Sequence, residues 1–180
     1  TRRPAPAPCP TAPFTVNLHC LGACANIALM ASAGFEGCRR LGVMGGSFDP
    51  IHYAHLLVAE EVRRRLQLSH VLFVPAGHPP HKSHEVLSPA EDRYLMTVLA
   101  TADNPHFSVS RLELDRPGPS YTIDTVRALK ERLPAGAEVF VIMGADMVLT
   151  IDTWHQPDAL LAEAHVVAVP RPGFALERVP

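Results

Sequence analysis

The chain has 180 residues and a formal net charge of −2, with 16 Lys or Arg side chains against 18 Asp or Glu side chains. This length favours a single domain, and the charge provides no basic field of the kind that attracts nucleic acid. No stretch is long and apolar enough to predict a membrane span. We therefore expect a protein that has neither nucleic acid nor membrane among its partners.

The first 38 residues differ in composition from the rest of the chain. Residues 1–13 are rich in Pro and Ala, which is typical of an extended or disordered segment. All four cysteines fall in this first part, namely Cys9, Cys20, Cys24 and Cys38. The lack of cysteine from residue 39 onward excludes a disulfide framework there and suits a reducing cytoplasm. We therefore predict a disordered N-terminal extension over 1–38 and one domain over 39–180, in a cytoplasmic protein.

The most informative stretch follows this extension. A short apolar run ends in Gly45 and Gly46, and a helical pattern then places His52 and His55 three residues apart, on one helix face. Glycines let backbone approach a ligand closely, and a helix N-terminus attracts phosphate. The stretch therefore predicts a strand, a phosphate-binding turn and a helix that carries two imidazoles. Two other interpretations stay open: a metal site, which would need further ligands, and a pair of ordinary histidines.

Strand and helix patterns alternate along the remainder of the chain. Apolar runs predict strands over 70–75, 107–114, 138–143 and 165–169, and helical periods predict helices over 53–66, 89–102, 121–133 and 157–164. In the third of these helices, Ile123, Val126 and Leu129 have the spacing of an inward face. Such alternation implies βαβ units, a parallel sheet and right-handed crossovers.

The second helix has its own start signal. Residues 88–91, Ser-Pro-Ala-Glu, predict a capping box with Pro at the first helical position. Tyr94, Leu95, Val98 and Leu99 then recur at the spacing of a core-facing stripe. We therefore expect this helix to pack on the sheet through its aliphatic side chains.

Most of the polar or glycine-containing motifs come directly after predicted strands. They occupy residues 45–55, 75–82, 144–146 and 171–173. Ligands of an open parallel sheet bind beyond the carboxyl ends of its strands, so these motifs are expected to converge on one site.

The motif at 45–55, Gly-Gly-Ser-Phe-Asp-Pro-x-His-x-x-His, resembles the His-x-Gly-His signature of nucleotidyltransferases with a Rossmann-like fold. The sequence of this motif is close to that of bacterial nicotinate-nucleotide adenylyltransferases, although Ala54 stands where that family usually has Gly. Further segments are similar to the same family in the same order: 79–82, 120–122, 144–146, 153–155 and 171–173. The histidine motif alone also admits pantetheine-phosphate adenylyltransferases and cytidylyltransferases. The Ser-Tyr-Thr and Thr-Trp segments favour the pyridine-nucleotide branch.

This resemblance implies a fold and a reaction. The fold would be α/β, a Rossmann-like doubly wound parallel sheet with helices on both faces. The reaction would transfer the adenylyl group of ATP to nicotinate mononucleotide in NAD biosynthesis, giving nicotinate adenine dinucleotide and pyrophosphate. Mg²⁺ would arrive with ATP, because the sequence has no dedicated metal-carboxylate cluster. A homo-oligomer stays open as the assembled form.

The family usually continues into a Ser-Ser-Thr-x-x-Arg-type motif, which the sequence does not contain before Pro180. We therefore expect 39–180 to be a nucleotidyltransferase domain that lacks its C-terminal part. Two alternative functions stay open: a nucleotide-binding but inactive fragment, and a related adenylyltransferase with another phosphate acceptor.

The resemblance also assigns roles on the ATP side of the site. His52 and His55 would contact the ATP phosphates and form the catalytic pair. The remaining residues on this side would line the adenosine, the ribose and the phosphates: Gly45, Gly46, Ser47, Phe48, Gly144, Asp146 and Arg171.

The mononucleotide side would be formed by later motifs. Tyr121 and Thr122 would help to hold the pyridine carboxylate, largely through backbone, and Trp154 would stack on the flat pyridine ring. Lys82 is a cationic candidate for a phosphate. The ordinary alternatives are a core role for Trp154 and helix-cap roles for Thr122 and Asp146.

Overall fold

The structure is a computed structural model that describes residues 35–78 and 86–170. Lys82, Arg171 and most of the predicted N-terminal extension lie outside these ranges. The strands are β1 (Arg40–Gly46), β2 (His70–Pro75), β3 (Phe107–Val109), β4 (Glu138–Gly144) and β5 (His165–Val169). The helices are α1 (Tyr53–Arg65), α2 (Ala90–Thr101), α3 (Thr122–Lys130), α4 (Ala145–Val148) and α5 (Pro157–Glu163), with a 3₁₀ helix at Ile151–Thr153. No helix in either range is both long and apolar enough to cross a membrane.

The five strands form one parallel sheet in the order β3-β2-β1-β4-β5. Gly46 is in register with Pro75, and Gly144 is in register with Val169, so the carboxyl ends of four strands meet along one edge. The winding direction reverses between β1 and β4, which is the switch point where ligands of such sheets bind. This topology confirms the predicted Rossmann-like doubly wound sheet.

Side chains of successive strand residues enter two separate cores. In β1, Leu41 and Val43 join the cluster under α3 and α5, whereas Met44 joins the cluster under α1. This alternation follows from the two-residue period of a strand, and the apolar runs of β1, β2 and β4 supply both faces. Helices therefore cover both sides of the sheet, as predicted.

Helix α2 packs differently from the sequence prediction. Leu95 and Leu99 are 54% and 77% exposed, whereas the buried residues are Arg93, Thr97 and Thr101. The threonine hydroxyls donate to carbonyl oxygens four residues earlier in the helix, at 2.7 Å for Thr97 and 2.9 Å for Thr101. These polar groups are thus satisfied within the helix, so the prediction of an aliphatic inward face was wrong.

The predicted capping box before α2 was also wrong. The N-cap residue is Pro89, which makes no side-chain capping hydrogen bond. The backbone N–H of Ser88 donates to the carboxylate of Asp49 at 2.8 Å. A contact with the turn after β1 has therefore replaced local capping at the start of this helix.

Strand β3 is shorter than the predicted 107–114 because the chain turns away from the sheet after Val109. The backbone N–H of Leu112 donates to the Ser110 hydroxyl at 3.2 Å, and that of Asp115 donates to the Arg111 carbonyl at 2.9 Å. These turn bonds take the place of further pairing with β2, although the apolar and polar residues continue to alternate.

Candidate active site

Strand β1 ends in two glycines that serve different purposes. No described atom lies within 4 Å of a Cβ built on Gly45, so its backbone borders open space. A Cβ on Gly46 would come within 3.3 Å of the Phe48 ring. Gly45 therefore leaves room for a ligand, whereas Gly46 leaves room for a neighbouring side chain.

Phe48 anchors the turn after β1 in the core under α1. Its φ is +49°, in the left-handed region that costs a non-glycine residue about 1–2 kcal/mol. The side chain is only 3% exposed, and its ring lies 5.2 Å from the His55 ring and 5.8 Å from the Phe73 ring, centroid to centroid. Burying a phenylalanine contributes about 1.5–3 kcal/mol, which offsets the strain. Any contact that Phe48 makes with a nucleotide would therefore come mainly from its backbone.

The two predicted imidazoles stack on each other at the start of α1. His52 is the N-cap residue, and the centroids of the His52 and His55 rings are 3.8 Å apart with an interplanar angle of 24°. The backbone N–H of His52 donates to Nδ1 of His55 at 3.3 Å. Because Nδ1 accepts this bond, we assign the proton of neutral His55 to Nε2, which becomes a donor. Together with the first-turn N–H groups of α1, this arrangement suits an anion.

Ala54, the departure from the family motif, lies in the first turn of α1 and is exposed. Its backbone is helical, so its methyl group adds no backbone strain. The substitution thus leaves the local path of the chain intact.

The segment 76–78 after β2 joins the turn after β1 to the loop before α3. The N–H of Ala76 donates to the Gly46 carbonyl at 2.9 Å. The N–H of His78 donates to the Ser120 hydroxyl at 3.2 Å, and the N–H of Ser120 donates to the His78 carbonyl at 3.1 Å. A Cβ on Gly77 would overlap the Glu113 carbonyl oxygen, so only glycine permits this approach.

Arg93 on α2 is a residue that the sequence analysis missed. Its side chain is 2% exposed and donates to three carbonyl oxygens: Ser47 at 2.7 Å, Ala76 at 2.8 Å and Ser88 at 3.0 Å. Burial lowers the pKa of this guanidinium, and the Asp49 carboxylate opposes that effect. The available sequence signal was the polar stripe of residues 93, 97 and 101 at helical spacing.

The predicted mononucleotide side is assembled from two distant segments. The rings of Tyr121 and His155 are stacked, with centroids 4.3 Å apart and an interplanar angle of 25°. Trp154 is half-buried and packs against the core under α3, and its backbone N–H donates to the Ile151 carbonyl at 3.1 Å. The structure thus brings the Ser-Tyr-Thr and Thr-Trp-His motifs together, and Trp154 combines core contact with partial exposure.

Helix α3 begins at Thr122, and its N-cap residue Tyr121 makes no side-chain capping bond. Its first turn therefore presents backbone N–H groups beside Tyr121. Thr122 does not cap the helix, because it occupies the first helical position. These donors are where the resemblance places the pyridine carboxylate.

Glu113 is a second buried polar residue that the sequence analysis missed. It is 7% exposed and accepts a hydrogen bond from the Thr125 hydroxyl at 2.7 Å. Burial raises the pKa of Glu113, while the Thr125 hydrogen bond and the charge of Arg116 oppose the rise. The contact fastens the loop between β3 and α3 to α3 itself, next to the approach of Gly77.

The last predicted residues lie at the end of β4. Gly144 is the N-cap residue of α4, and Asp146 is half-buried in the first turn of that helix. The strand β4 adjoins β1, so these residues share the switch point with Gly45 and Gly46. Lys82 and Arg171, being outside the described ranges, receive no placement.

A parallel sheet with this strand order, and a histidine-bearing turn at its switch point, define the class: a Rossmann-like nucleotidyltransferase domain. The model of the cytidylyltransferase-like family matches residues 43–180. A relative from Saccharopolyspora erythraea, named as a probable nicotinate-nucleotide adenylyltransferase, is 55% identical over 138 residues, covering 77% of this chain and 65% of the relative. One from Streptomyces coelicolor with the same name is 53% identical over 133 residues, covering 74% and 70%. The chain therefore belongs to the cytidylyltransferase-like family and, within it, to the nicotinate-nucleotide adenylyltransferases.

The chain spans about two thirds of the length of the curated relatives it matches.

Solved structures share its fold. The Plasmodium falciparum nicotinic acid mononucleotide adenylyltransferase complexed with NaAD superposes with a TM-score of 0.66 at 20% identity, covering 79% of this chain and 72% of that one. A putative nicotinate-nucleotide adenylyltransferase from Vibrio parahaemolyticus gives 0.60 at 16% identity, covering 73% and 74%.

Proposed function

We propose that the protein transfers the adenylyl group of ATP to nicotinate mononucleotide, giving nicotinate adenine dinucleotide and pyrophosphate. The observation that carries this proposal is the stacked His52–His55 pair at the N-terminus of α1, which directly follows the turn after β1. The names of relatives that are 53–55% identical support the choice of acceptor.

The reaction needs positioning more than proton transfer. An oxygen of the mononucleotide phosphate attacks the α-phosphorus of ATP and forms the new P–O bond. The bond from that phosphorus to the bridging oxygen breaks, and the electron pair leaves with pyrophosphate. The attacking phosphate is already an anion at neutral pH, so it requires no general base. Charge stabilisation and alignment then account for the rate.

On the ATP side, donors converge where negative charge develops. The Nε2–H of His55, the ring of His52 and the first-turn N–H groups of α1 are suited to phosphate oxygens. Ser47 would contribute from the same turn, Asp146 and Gly144 would bind ribose hydroxyls, and Arg171 and Lys82 remain candidates for phosphate binding.

Mg²⁺ would accompany ATP. Across 35–78 and 86–170, no group of three or more His, Cys, Asp or Glu side chains is placed to hold a metal ion. Mg²⁺ commonly keeps several waters and takes other ligands from substrate phosphates. When bound, the ion would neutralise charge on the phosphates.

On the acceptor side, α3 and the Trp154 segment would recognise the pyridine. The first-turn N–H groups of α3 suit a carboxylate, whereas the NH₂ of a carboxamide would oppose them. The half-buried indole of Trp154 would provide a flat apolar surface for the ring.

The test is pyrophosphate release by the natural full-length protein with ATP and nicotinate mononucleotide. We expect His55→Ala to lower kcat about 10²–10³-fold, the scale for losing one charge-stabilising donor. His106→Ala is the matched control, because His106 is exposed just before β3, at the opposite edge of the sheet, and should leave the rate within about twofold. Near wild-type turnover in folded His55→Ala protein would remove the phosphate-contact role.

The acceptor is tested by substituting nicotinamide mononucleotide and pantetheine phosphate. We expect nicotinate mononucleotide to have the highest kcat/KM of the three. Comparable kcat/KM values for the nicotinate and nicotinamide forms would contradict the proposed carboxylate contact. Turnover with pantetheine phosphate alone would assign the protein to another acceptor.

A further inference from the structure

We propose that Arg93 is a positioning residue, which holds the turn after β1 and the segment 76–78 in the single arrangement that the reaction needs. The catalytic part of this inference rests on the function proposed above. Arg93 is not placed in contact with substrate; it would act through backbone carbonyls of the turn after β1 and of the connection between β2 and α2.

The geometry of the guanidinium carries the inference. Its Nη1 donates to the Ser47 carbonyl at 2.7 Å, its Nη2 donates to the Ala76 carbonyl at 2.8 Å, and its Nε donates to the Ser88 carbonyl at 3.0 Å. Ser47 belongs to the turn after β1, whereas Ala76 and Ser88 lie at the two ends of the connection between β2 and α2. One planar group with donors in fixed directions thus connects the turn after β1 to both ends of that connection.

Further bonds link the turn after β1 to both ends of the β2–α2 connection. The Ala76 N–H donates to the Gly46 carbonyl at 2.9 Å, and the Ser88 N–H donates to the Asp49 carboxylate at 2.8 Å. Asp49 also attracts the guanidinium electrostatically. Arg93 therefore lies at the centre of a closed set of contacts around the turn that carries the histidine pair.

The exposure pattern of α2 argues against a role in stability alone. The helix leaves Leu95 and Leu99 exposed while it buries a cation. Burying a charge costs free energy, and replacement of buried charges by apolar side chains is often neutral or stabilising. If α2 contributed only to core stability, we would expect its leucines to be buried in place of Arg93.

The consequence for the reaction follows from the position of Ser47. It lies between Gly46 and Phe48, so a shift of its carbonyl would move the turn relative to the 76–78 segment and, through Ser120, relative to the acceptor side. A misplacement of about 1 Å can lower turnover by 10²-fold. The proposed contacts of Tyr121 and Trp154 with the acceptor, which pack against the core under α3, should keep their affinity.

The experiment combines backbone amide hydrogen exchange with kinetics on the full-length protein. In Arg93→Lys, the three donors of the ammonium sit on one nitrogen and cannot reach carbonyls that are spread around Nε, Nη1 and Nη2, so exchange at the Ala76 and Ser88 amides should rise at least tenfold. We expect kcat to fall about 10–10²-fold, while the KM for nicotinate mononucleotide changes less than threefold. A purely structural role would not produce this separation of kcat from KM.

Thr97→Val is the matched control. Thr97 lies one turn further along the same buried face, and its hydroxyl donates to the Arg93 carbonyl of its own helix. It should lower the melting temperature with exchange at Ala76 and Ser88 within twofold of wild type. Should Arg93→Lys fail to fold, Asp49→Asn weakens the same assembly from an exposed position, and a threefold or larger rise at the Ser88 amide is expected.

Unchanged exchange at Ala76 and Ser88 in the Arg93→Lys protein would overturn the inference, as would an equal rise in Thr97→Val. If wild-type protein is inert toward ATP and nicotinate mononucleotide, the proposed function fails, and the exchange arm still decides whether Arg93 holds the loops.

Discussion

Helices α2 and α3 differ in what they bury. Helix α2 connects β2 to β3, which moves away from β1, and α3 connects β3 to β4, which crosses back to the other side of β1. Right-handed crossovers in these two directions place the helices on opposite faces of the sheet. Helix α3 buries Ile123, Val126 and Leu129 completely in a large apolar cluster. Helix α2 buries Arg93 with two threonines and leaves two leucines exposed.

The difference reflects what each helix contacts. Helix α3 faces apolar side chains of the strands, so its own buried side chains are apolar as well. Arg93 of α2 meets loop carbonyls at the carboxyl edge of the sheet, and carbonyls require donors. We conclude that α3 mainly holds the fold together, whereas α2 mainly holds the loops of the site.

The largest change in the free energy of unfolding is expected when one leucine of each helix is truncated and the two variants are compared. Leu129→Ala empties a fully buried position of α3 and should lower the free energy of unfolding by about 2–5 kcal/mol. Leu99→Ala on α2 should change it by less than about 0.5 kcal/mol, because that side chain is 77% exposed. Urea unfolding of the two variants checks this, and equal losses would remove the contrast between the helices.

A second prediction concerns a buried polar group remote from the loops. Burial lowers the pKa of His70 to about 4, and the charges of His106 and Arg63 act in the same direction. The unfolded chain, with an ordinary histidine pKa near 6.5, therefore binds more protons between pH 6.5 and pH 4. Stability should fall by about 3 kcal/mol as pH decreases through this window and should level off for this group below it.

Urea midpoints of wild type and His70→Gln across pH 4–7 measure this contribution. The glutamine cannot be protonated, and its amide can replace the contact of Nε2 with the Ser108 hydroxyl at 2.8 Å. The variant should lose less stability on acidification than wild type. Parallel pH curves would show that His70 does not titrate differently in the folded and unfolded states.

The third and smallest effect separates two glycines at the site. Gly77→Ala places a Cβ against the Glu113 carbonyl and should cost about 1–3 kcal/mol, the usual range for overpacking. Gly45→Ala meets no described atom, so its melting temperature should stay within 1–2 °C of wild type, about the shift for a few tenths of a kcal/mol. Its KM for ATP should nevertheless rise, since the open space would be occupied by the ligand. An unchanged KM in Gly45→Ala would mean that the ligand lies elsewhere.

The same contrast explains which parts of the fold could be predicted from the sequence. The period of Ile123, Val126 and Leu129 located α3 and its inward face, and uninterrupted apolar runs located β1, β2 and β4. These signals succeed because burial of apolar side chains is their common cause. In α2 the same period was present at Leu95 and Leu99, but the burial of Arg93 depends on carbonyls from loops that sequence spacing does not reveal.

The candidate site divides in a similar way. The spacing of three residues predicted that His52 and His55 would meet, although they meet as the extended N-cap residue and the third helical residue and not on one helix face. The order of strands brought Gly45 and Gly144 to one edge. The stacking of Tyr121 on His155 and the approach of Gly77 to Glu113 could not be predicted, because they join segments through tertiary contacts alone. The roles assigned to individual site residues by resemblance stay predictions until the variants are measured.

The central claim, that α2 holds the site and α3 holds the fold, is tested most directly by kcat/KM for Arg93→Lys and Leu129→Ala, measured well below both melting temperatures. We predict that Arg93→Lys loses about 10–10²-fold in kcat/KM, while Leu129→Ala, although less stable, stays within about threefold of wild type. If the loss of kcat/KM in both variants is simply proportional to their loss of stability, α2 and α3 do not have these separate roles.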